Sequence, residues 1–228
     1  MKIMRMTLCL LSLFGFASFV TAQTVEKSRV SVTTTERIPF TNGVSVHLKD
    51  TFGEVRVEGW ERDEIEIELT RGTQKKYAAS EHAKEKRRLE KVKLAITNDN
   101  AGGLLIETKN MPFMKNNFSL EYKVKVPQSI YLKVKHGIGE VTIKNMTSDI
   151  EATVRIGELA VEMPETVPFD LDARAKIGEV ASDFAGQYNR PKVLGAKLVG
   201  ETKHSEPHKL YLRVGIGEVQ VKRMEAVK

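Results

Sequence analysis

The sequence predicts an all-β fold, a parallel β-solenoid with repeats of about 20 residues and one charged helical segment. Three observations support this prediction. A short motif of an apolar residue, Gly, Glu and a second apolar residue recurs along the chain, the apolar alternation changes parity across each motif, and the later motifs are regularly spaced. The motif occupies residues 52–55, 138–141, 156–159, 177–180 and 216–219.

The parity change is clearest around the second motif. Leu132, Val134 and Ile138 are apolar at even positions, whereas Val141 and Ile143 are apolar at odd positions. Side chains alternate between the two faces of a strand, so one straight strand cannot point both sets at the same core. Glycine adopts backbone conformations with positive φ and often marks a bend or bulge within a strand.

We therefore interpret each Gly-Glu pair as a structural corner, where the chain turns and continues as a strand with its apolar side still inward. The predicted corner residues are Gly53, Glu54, Gly139, Glu140, Gly157, Glu158, Gly178, Glu179, Gly217 and Glu218.

The spacing of the corners predicts how the strands are arranged. Gly139 and Gly157 are 18 residues apart, Gly157 and Gly178 are 21 apart, and Gly178 and Gly217 are 39 apart. A fixed period in this range is typical of stacked repeats, and the longest interval fits two periods with one degenerate coil. We assign residues 129–228 to the solenoid repeats. A β-sandwich of hairpins is the alternative, but its usual Asn-Gly and Asp-Gly turns are scarce.

The N-terminus, residues 1–22, has the features of a secretory signal peptide. Lys2 and Arg5 precede an apolar run over residues 8–20, which ends in the small residues Thr21 and Ala22. The run is shorter than the roughly 20 residues that a spanning helix needs. We expect export to the periplasm, the cell surface or the extracellular space. Because the only cysteine, Cys9, lies in this segment, the mature chain has no disulfides.

Residues 23–128 form a predicted N-terminal strand region that is continuous with the repeats. Alternating apolar residues indicate strands before residue 70 and after residue 92. Residues 77–92 are the one helix candidate, with Ser80 as a possible N-cap. Trp60, the only tryptophan, is expected to cover the end of the core near the first corner.

Positive charge is concentrated in one segment. Residues 71–93 contain nine Lys or Arg and three Glu, so their formal charge is +6, whereas the rest of the mature chain is slightly negative. This segment is predicted either to dock on an anionic surface or to be a solvated helix face. Nucleic acid is excluded as a partner for two reasons. Few aromatic residues lie beside these cations to stack on bases, and export also argues against a nucleic-acid partner. The candidate docking residues are Lys84, Lys86, Arg87 and Arg88.

The recurring glutamates raise the question of chemistry. A carboxylate ladder that binds cations is one interpretation, and an acid–base pair is another. Calcium-binding repeats supply several oxygen ligands per ion, whereas each repeat here supplies one Glu without a neighbouring Asp. His204 and His208 flank a proline in a predicted loop and form a second, weak metal candidate. We assign no catalytic residue, no metal site and no cofactor.

The order of these features resembles a known family. A signal peptide is followed by the stretch GEVRVEGWERDEIEIELT, a charged helical segment, the stretch LEYKVKVP and Gly-acidic-apolar corners. This order is similar to that of the bacterial "putative adhesin" or β-strand-repeat domains of unknown function. The resemblance implies a right-handed parallel β-solenoid in the cell envelope and no established activity. Relatives often carry Asn-Gly-Asp or Ser-Gly-Asp at the corner, whereas Ile-Gly-Glu dominates here.

Two functions remain at this point. The first is a non-enzymatic binding or scaffolding module for an envelope protein, a glycan or an anionic surface, including peripheral contact with a membrane. The alternative is an envelope carbohydrate-active enzyme that uses carboxylates on one face of the fold. Acidic side chains paired at about 5–10 Å in a groove would favour the enzyme.

Overall fold

The structure is a computed structural model that describes residues 26–40, 45–98, 103–111, 117–184, 187–189, 195–201 and 206–224. The predicted signal peptide, residues 1–22, lies outside the described residues, as does His204. The export of the chain therefore stays a prediction.

Fifteen β-strands and one α-helix make up the described part of the chain. The first elements are β1 (Lys27–Ser28), β2 (Ser31–Pro39), β3 (Val46–Lys49), β4 (Phe52–Trp60), β5 (Glu64–Gly72), β6 (Tyr77–Ala78) and α1 (Ala79–Leu89). The next are β7 (Lys93–Asn98), β8 (Leu104–Lys109), β9 (Ser119–Pro127), β10 (Leu132–Lys144) and β11 (Ile150–Met163). The last are β12 (Phe169–Ser182), β13 (Gln187–Asn189), β14 (Ala196–Glu201) and β15 (His208–Arg223).

Four long strands form the parallel centre of the main sheet, in the order β10, β11, β15 and β12. Strands β3 and β4 both pair with β10 in parallel, one along each half, so together they act as a fifth long strand. Antiparallel strands extend the sheet. Strand β5 pairs with β9 and β2, β7 pairs with β8, and β14 pairs with β12 and β13.

The prediction of a right-handed parallel β-solenoid is wrong, because the strands form a mixed sheet that is partly antiparallel. The strand order also departs from the order of the chain: β15 lies between β11 and β12. In place of the predicted degenerate coil, the chain after β12 forms the antiparallel strands β13 and β14. The corner motifs identify which strands lie in register. Their spacing does not indicate the order of these strands in the sheet, or the direction of the strands between them.

Each long strand changes its buried face where the corner was predicted. In β10, Leu132, Val134 and His136 are buried before the corner, and Val141 and Ile143 are buried after it. The buried side chains of both halves belong to one hydrophobic cluster. Ile138 departs from the predicted alternation, because its side chain is exposed rather than inward.

The corner glycines are aligned across the sheet and leave no space for a side chain. They lie in the order Gly53, Gly139, Gly157, Gly217 and Gly178, so Gly217 separates two glycines that the repeat spacing predicted as neighbours. Their φ angles lie between 120° and 136°. A Cβ built on Gly157 would lie 1.8 Å from the carbonyl oxygen of Gly139. Glycine is therefore required both by the backbone conformation and by the neighbouring strand.

We expect Gly157→Val to destabilise the fold by about 3 kcal/mol or more, because it combines a strained φ with a clash against backbone that cannot move aside. Chemical denaturation would measure the loss. Ala181→Val is the matched control, because Ala181 is exposed on β12 and a β-branched residue suits such a position. Equal stability of the two variants would contradict the close approach of the glycines.

Candidate functional site

The exposed side of the corner carries a row of apolar side chains. Neighbouring strands place four isoleucines in register, and Phe52 continues the row on β4 as a partly buried member. We call the four exposed side chains the isoleucine row: Ile138, Ile156, Ile216 and Ile177.

Positive side chains precede the isoleucine row on the exposed side of the long strands. Arg155 and Lys176 immediately precede their isoleucines. The other four cations lie two residues earlier along their strands, where the register aligns them in a row of their own. We call these six residues the basic rows: Lys49, Lys135, Arg155, Arg174, Lys176 and Arg213. A groove of about 650 Å³ runs past several of them and is also lined by Lys197 of β14.

Part of this positive charge is already paired within the chain. Arg174 donates to both carboxylate oxygens of Asp172 at 3.0 Å, and Arg213 donates to the same carboxylate at 2.7 Å. Partial burial raises the pKa of Asp172, but the hydrogen bonds from the two arginines outweigh it and hold that pKa below its usual value. The ion pairs among the described residues do not include Lys135, Arg155 or Lys176.

Carboxylates follow the isoleucine row, two positions further along each strand. The register aligns them from β4 to β12, and Glu121 of β9 continues the line beside Glu54. We call the five corner glutamates the glutamate row: Glu54, Glu140, Glu158, Glu218 and Glu179. Adjacent strands lie about 4.8 Å apart, so these carboxylates repel one another. Among the described residues, no cluster of three His, Asp or Glu side chains is arranged as a metal site.

The charged segment contains the helix that the sequence predicted, but the helix is shorter than residues 77–92. It begins at Ala79, and the Glu81 carboxylate accepts a hydrogen bond of 3.2 Å from the Ala78 amide, so Ser80 is not the cap. Glu85 and Leu89, one turn apart, are buried. Lys84, Lys86 and Arg87 are therefore exposed on the outer side, and we call these three residues the helix patch.

Two cations of the charged segment are not available at its surface. Arg88 forms an ion pair of 3.2 Å with buried Glu85, and its guanidinium lies 4.7 Å from the centre of the Phe118 ring. Arg71 is buried and donates to the carbonyl of Val92 and the hydroxyl of Thr34. Burial lowers the pKa of Arg71. Of the four docking residues predicted from sequence, Lys84, Lys86 and Arg87 are exposed, whereas Arg88 is held by contacts within the fold.

A buried ionisable pair lies beneath the corner, and the sequence interpretation missed it. His136 Nδ1 is hydrogen-bonded to Asp50 Oδ1, and both side chains are almost fully buried. Burial raises the pKa of Asp50, and the hydrogen bond and charge of His136 oppose that rise. Parity was the available signal, because Asp50 follows Val46 and Leu48, and His136 follows Leu132 and Val134, at inward positions.

Trp60 and His208, two residues that the sequence pattern singled out, both lie close to charged side chains. Trp60 is partly buried and donates from its indole nitrogen to the Glu64 carbonyl at 2.8 Å, while Arg62 and Lys125 lie over its ring. His208 lies 3.6 Å from the Asp149 carboxylate on an exposed part of the sheet.

Among the described residues, no helix is long and apolar enough to cross a membrane.

We expect Asp50→Asn to remove a pH-dependent destabilisation. Because burial raises the folded-state pKa of Asp50, the folded protein holds this proton more tightly than the unfolded chain does. The resulting stabilisation is present below the ordinary aspartate pKa of about 3.9 and is lost as pH rises through the raised value. The measurement is the free energy of unfolding of both proteins from acidic to neutral pH. A wild type that gains stability over the variant with rising pH would contradict the assignment.

No family model matches the chain, and no curated protein matches it in sequence. Several solved structures are similar to it. A "putative cell adhesion protein" from Clostridium sporogenes has 14% identity and a TM-score of 0.46, covering 85% of this chain and 100% of its own. A "putative adhesin" from Parabacteroides distasonis has 13% identity and a TM-score of 0.29, covering 66% of this chain and 61% of its own. A "putative adhesin" from Bacteroides fragilis has 9% identity and a TM-score of 0.28, covering 85% of this chain and 97% of its own. All three share less than 15% sequence identity with this chain, and their TM-scores are below 0.5.

Proposed function

We propose that this chain is exported to the cell envelope and acts there as a non-enzymatic binding module that docks onto an anionic surface through the helix patch. The observation that carries the proposal is the exposure of Lys84, Lys86 and Arg87 on one side of α1. The ion pairs formed among the described residues do not include these three cations, whereas Arg88 beside them is paired with Glu85.

The surroundings of the helix patch add to its positive field. Lys75 and Lys76 precede α1, Lys91 and Lys93 follow it, and all four are exposed. Glu81 and Glu90 are the exposed carboxylates of this segment. A basic residue close to an anionic membrane contributes about 1 kcal/mol, so three such residues give weak, reversible docking. Salt screens this attraction, with a Debye length of about 8 Å at physiological ionic strength.

The basic rows are a less suitable docking surface for a polyanion. They lie next to the isoleucine row, and the glutamate row follows directly on its other side. An extended anionic surface that approached Arg155 would also meet Glu158, three residues away on the same strand. The carboxylates would repel that surface, so the net attraction is smaller than at the helix patch.

The alternative of a carbohydrate-active enzyme would use the glutamate row, because its neighbouring carboxylates are close in space. Acid and base roles require two carboxylates whose environments push their pKa values apart. The members of this row occupy equivalent register positions on neighbouring strands, and each follows a glycine of the same conformation. Their local contacts differ, since Glu54 is paired with Arg56 and Glu218 accepts a hydrogen bond of 2.7 Å from Gln220. All five are exposed or half-buried, however, so none lies in the buried apolar surroundings that a general acid needs, and binding is the better-supported function.

Co-sedimentation with vesicles that contain anionic lipid tests the docking. We expect the wild-type chain to bind at low salt and to be released at high salt. We expect Lys84→Gln, Lys86→Gln and Arg87→Gln together to reduce partitioning by about tenfold or more, because three favourable contacts are lost. Glutamine is polar and uncharged, so it removes the positive charge without placing new negative charge near the end of the helix.

The matched control changes three cations outside the helix and outside the basic rows, by Lys197→Gln, Lys209→Gln and Lys222→Gln, so that net charge falls equally. This variant should retain binding. A soluble anionic polysaccharide, used as a competitor, separates lipid headgroups from glycan as the source of the anions. Equal binding of the wild type and the helix variant, with unchanged salt dependence, would rule out docking through α1.

A further inference from the structure

The isoleucine row is unusual for the surface of a folded chain. Its four side chains are 39–47% exposed although they lie within long, regular strands of the sheet centre. Single exposed apolar residues are common, but a contiguous row is typical of an interaction site. Four strands repeat the same exposed residue type, so the row is a continuous feature of the surface.

The charges beside the row run in a fixed order along every long strand. The two rows before the isoleucines contain six cations and no carboxylate, and the row two positions after them contains only glutamates. The surface therefore has a basic, an apolar and an acidic stripe that run parallel to one another across the sheet. A partner that fits this surface must present the same stripes in the opposite order.

We propose that the partner is a second copy of this chain, joined by a two-fold axis parallel to the isoleucine row. Rotation about such an axis reverses the order of the stripes on the second copy. It thus places isoleucine against isoleucine, and the basic rows of each copy against the glutamate row of the other. A two-fold interface is self-complementary, so each favourable charge contact occurs twice.

One pair of residues defines the geometry most sharply. Arg155 directly precedes Ile156, and Glu158 follows two residues later on the same strand, β11. With Ile156 on the axis, Arg155 of one copy faces Glu158 of the other. Strand β12 repeats this arrangement with Lys176, Ile177 and Glu179. The Arg155–Glu158 contacts lie close to the axis, so a narrow interface is sufficient to form them.

Other occupants fit the stripes less well. A two-fold axis parallel to the strands would place basic rows against basic rows and glutamates against glutamates. An anionic membrane would attract the basic rows and repel the glutamate row. The helix patch shares no residue with the three stripes, so the dimer can form whether or not α1 docks on a surface.

Sedimentation velocity over a range of concentrations tests the association of the full mature chain. We expect the wild type to form a dimer in a reversible, concentration-dependent manner. Ile156→Ser with Ile216→Ser should raise the dimer dissociation constant at least about tenfold, because both remove apolar area from the contact. Val199→Ser is the matched control, because Val199 is also exposed but lies on β14 outside the row.

A charge-reversal experiment tests the direction of the axis. Arg155→Glu alone would place Glu against Glu, and Glu158→Arg alone would place Arg against Arg, so each variant should dimerise about tenfold more weakly. Mixing the two variants restores both opposite-charge contacts. We therefore expect heterodimers, observed with one variant fluorescently labelled, at close to wild-type affinity.

A wild type that stays monomeric at every concentration would overturn the proposal. Dimers that survive the serine changes, or reversed variants that do not recover on mixing, would overturn the proposed interface. Circular dichroism and thermal unfolding of each variant would identify misfolding, and the mixing experiment remains decisive because it measures a gain of association. Vesicle binding that depends on Ile156 in a monomeric protein would assign the row to a membrane instead.

Discussion

The contact between aligned glycines is the constraint on which the rest of the structure depends. At each corner, the position of a Cβ is occupied by a carbonyl oxygen of the next strand, at 1.8–1.9 Å for four of the five glycines. A strand displaced by one residue would place a side chain at that position and would clash. The glycines therefore fix the register of the long strands and also make every strand turn at the same level.

Because the long strands all turn at the same level, the side chains on both faces of the sheet are regularly arranged. On the inner side, the halves before and after the corner bury their apolar side chains in one cluster. On the outer side, equivalent residues of neighbouring strands fall into straight rows, because the register is the same on every strand. The isoleucine row and the glutamate row are thus consequences of a repeated local sequence held in one register, and the charge order is retained across strands that are distant along the chain.

The sequence was sufficient to locate the turning points and insufficient to order the strands. A parity change around a glycine is a local signal, and Gly157 is recognisable from its own neighbours. The position of β15 between β11 and β12 is set by long-range pairing, which leaves no periodic trace in residues 208–223. The helix was predictable from composition, whereas the burial of Arg71 depends on acceptors from Val92 and Thr34 that only the folded chain brings together.

The two proposed surfaces differ in how their weak contacts gain strength. The helix α1 packs beside β2 and β6, away from the central strands that carry the three stripes. A few exposed cations give only loose docking, since each contributes about 1 kcal/mol and salt screens it. A dimer that presents both helix patches to one surface makes the second docking event intramolecular, so its effective concentration is high. Self-association through the isoleucine row would then raise surface affinity without any new contact to the surface, and loss of the row would weaken docking even though α1 is unchanged.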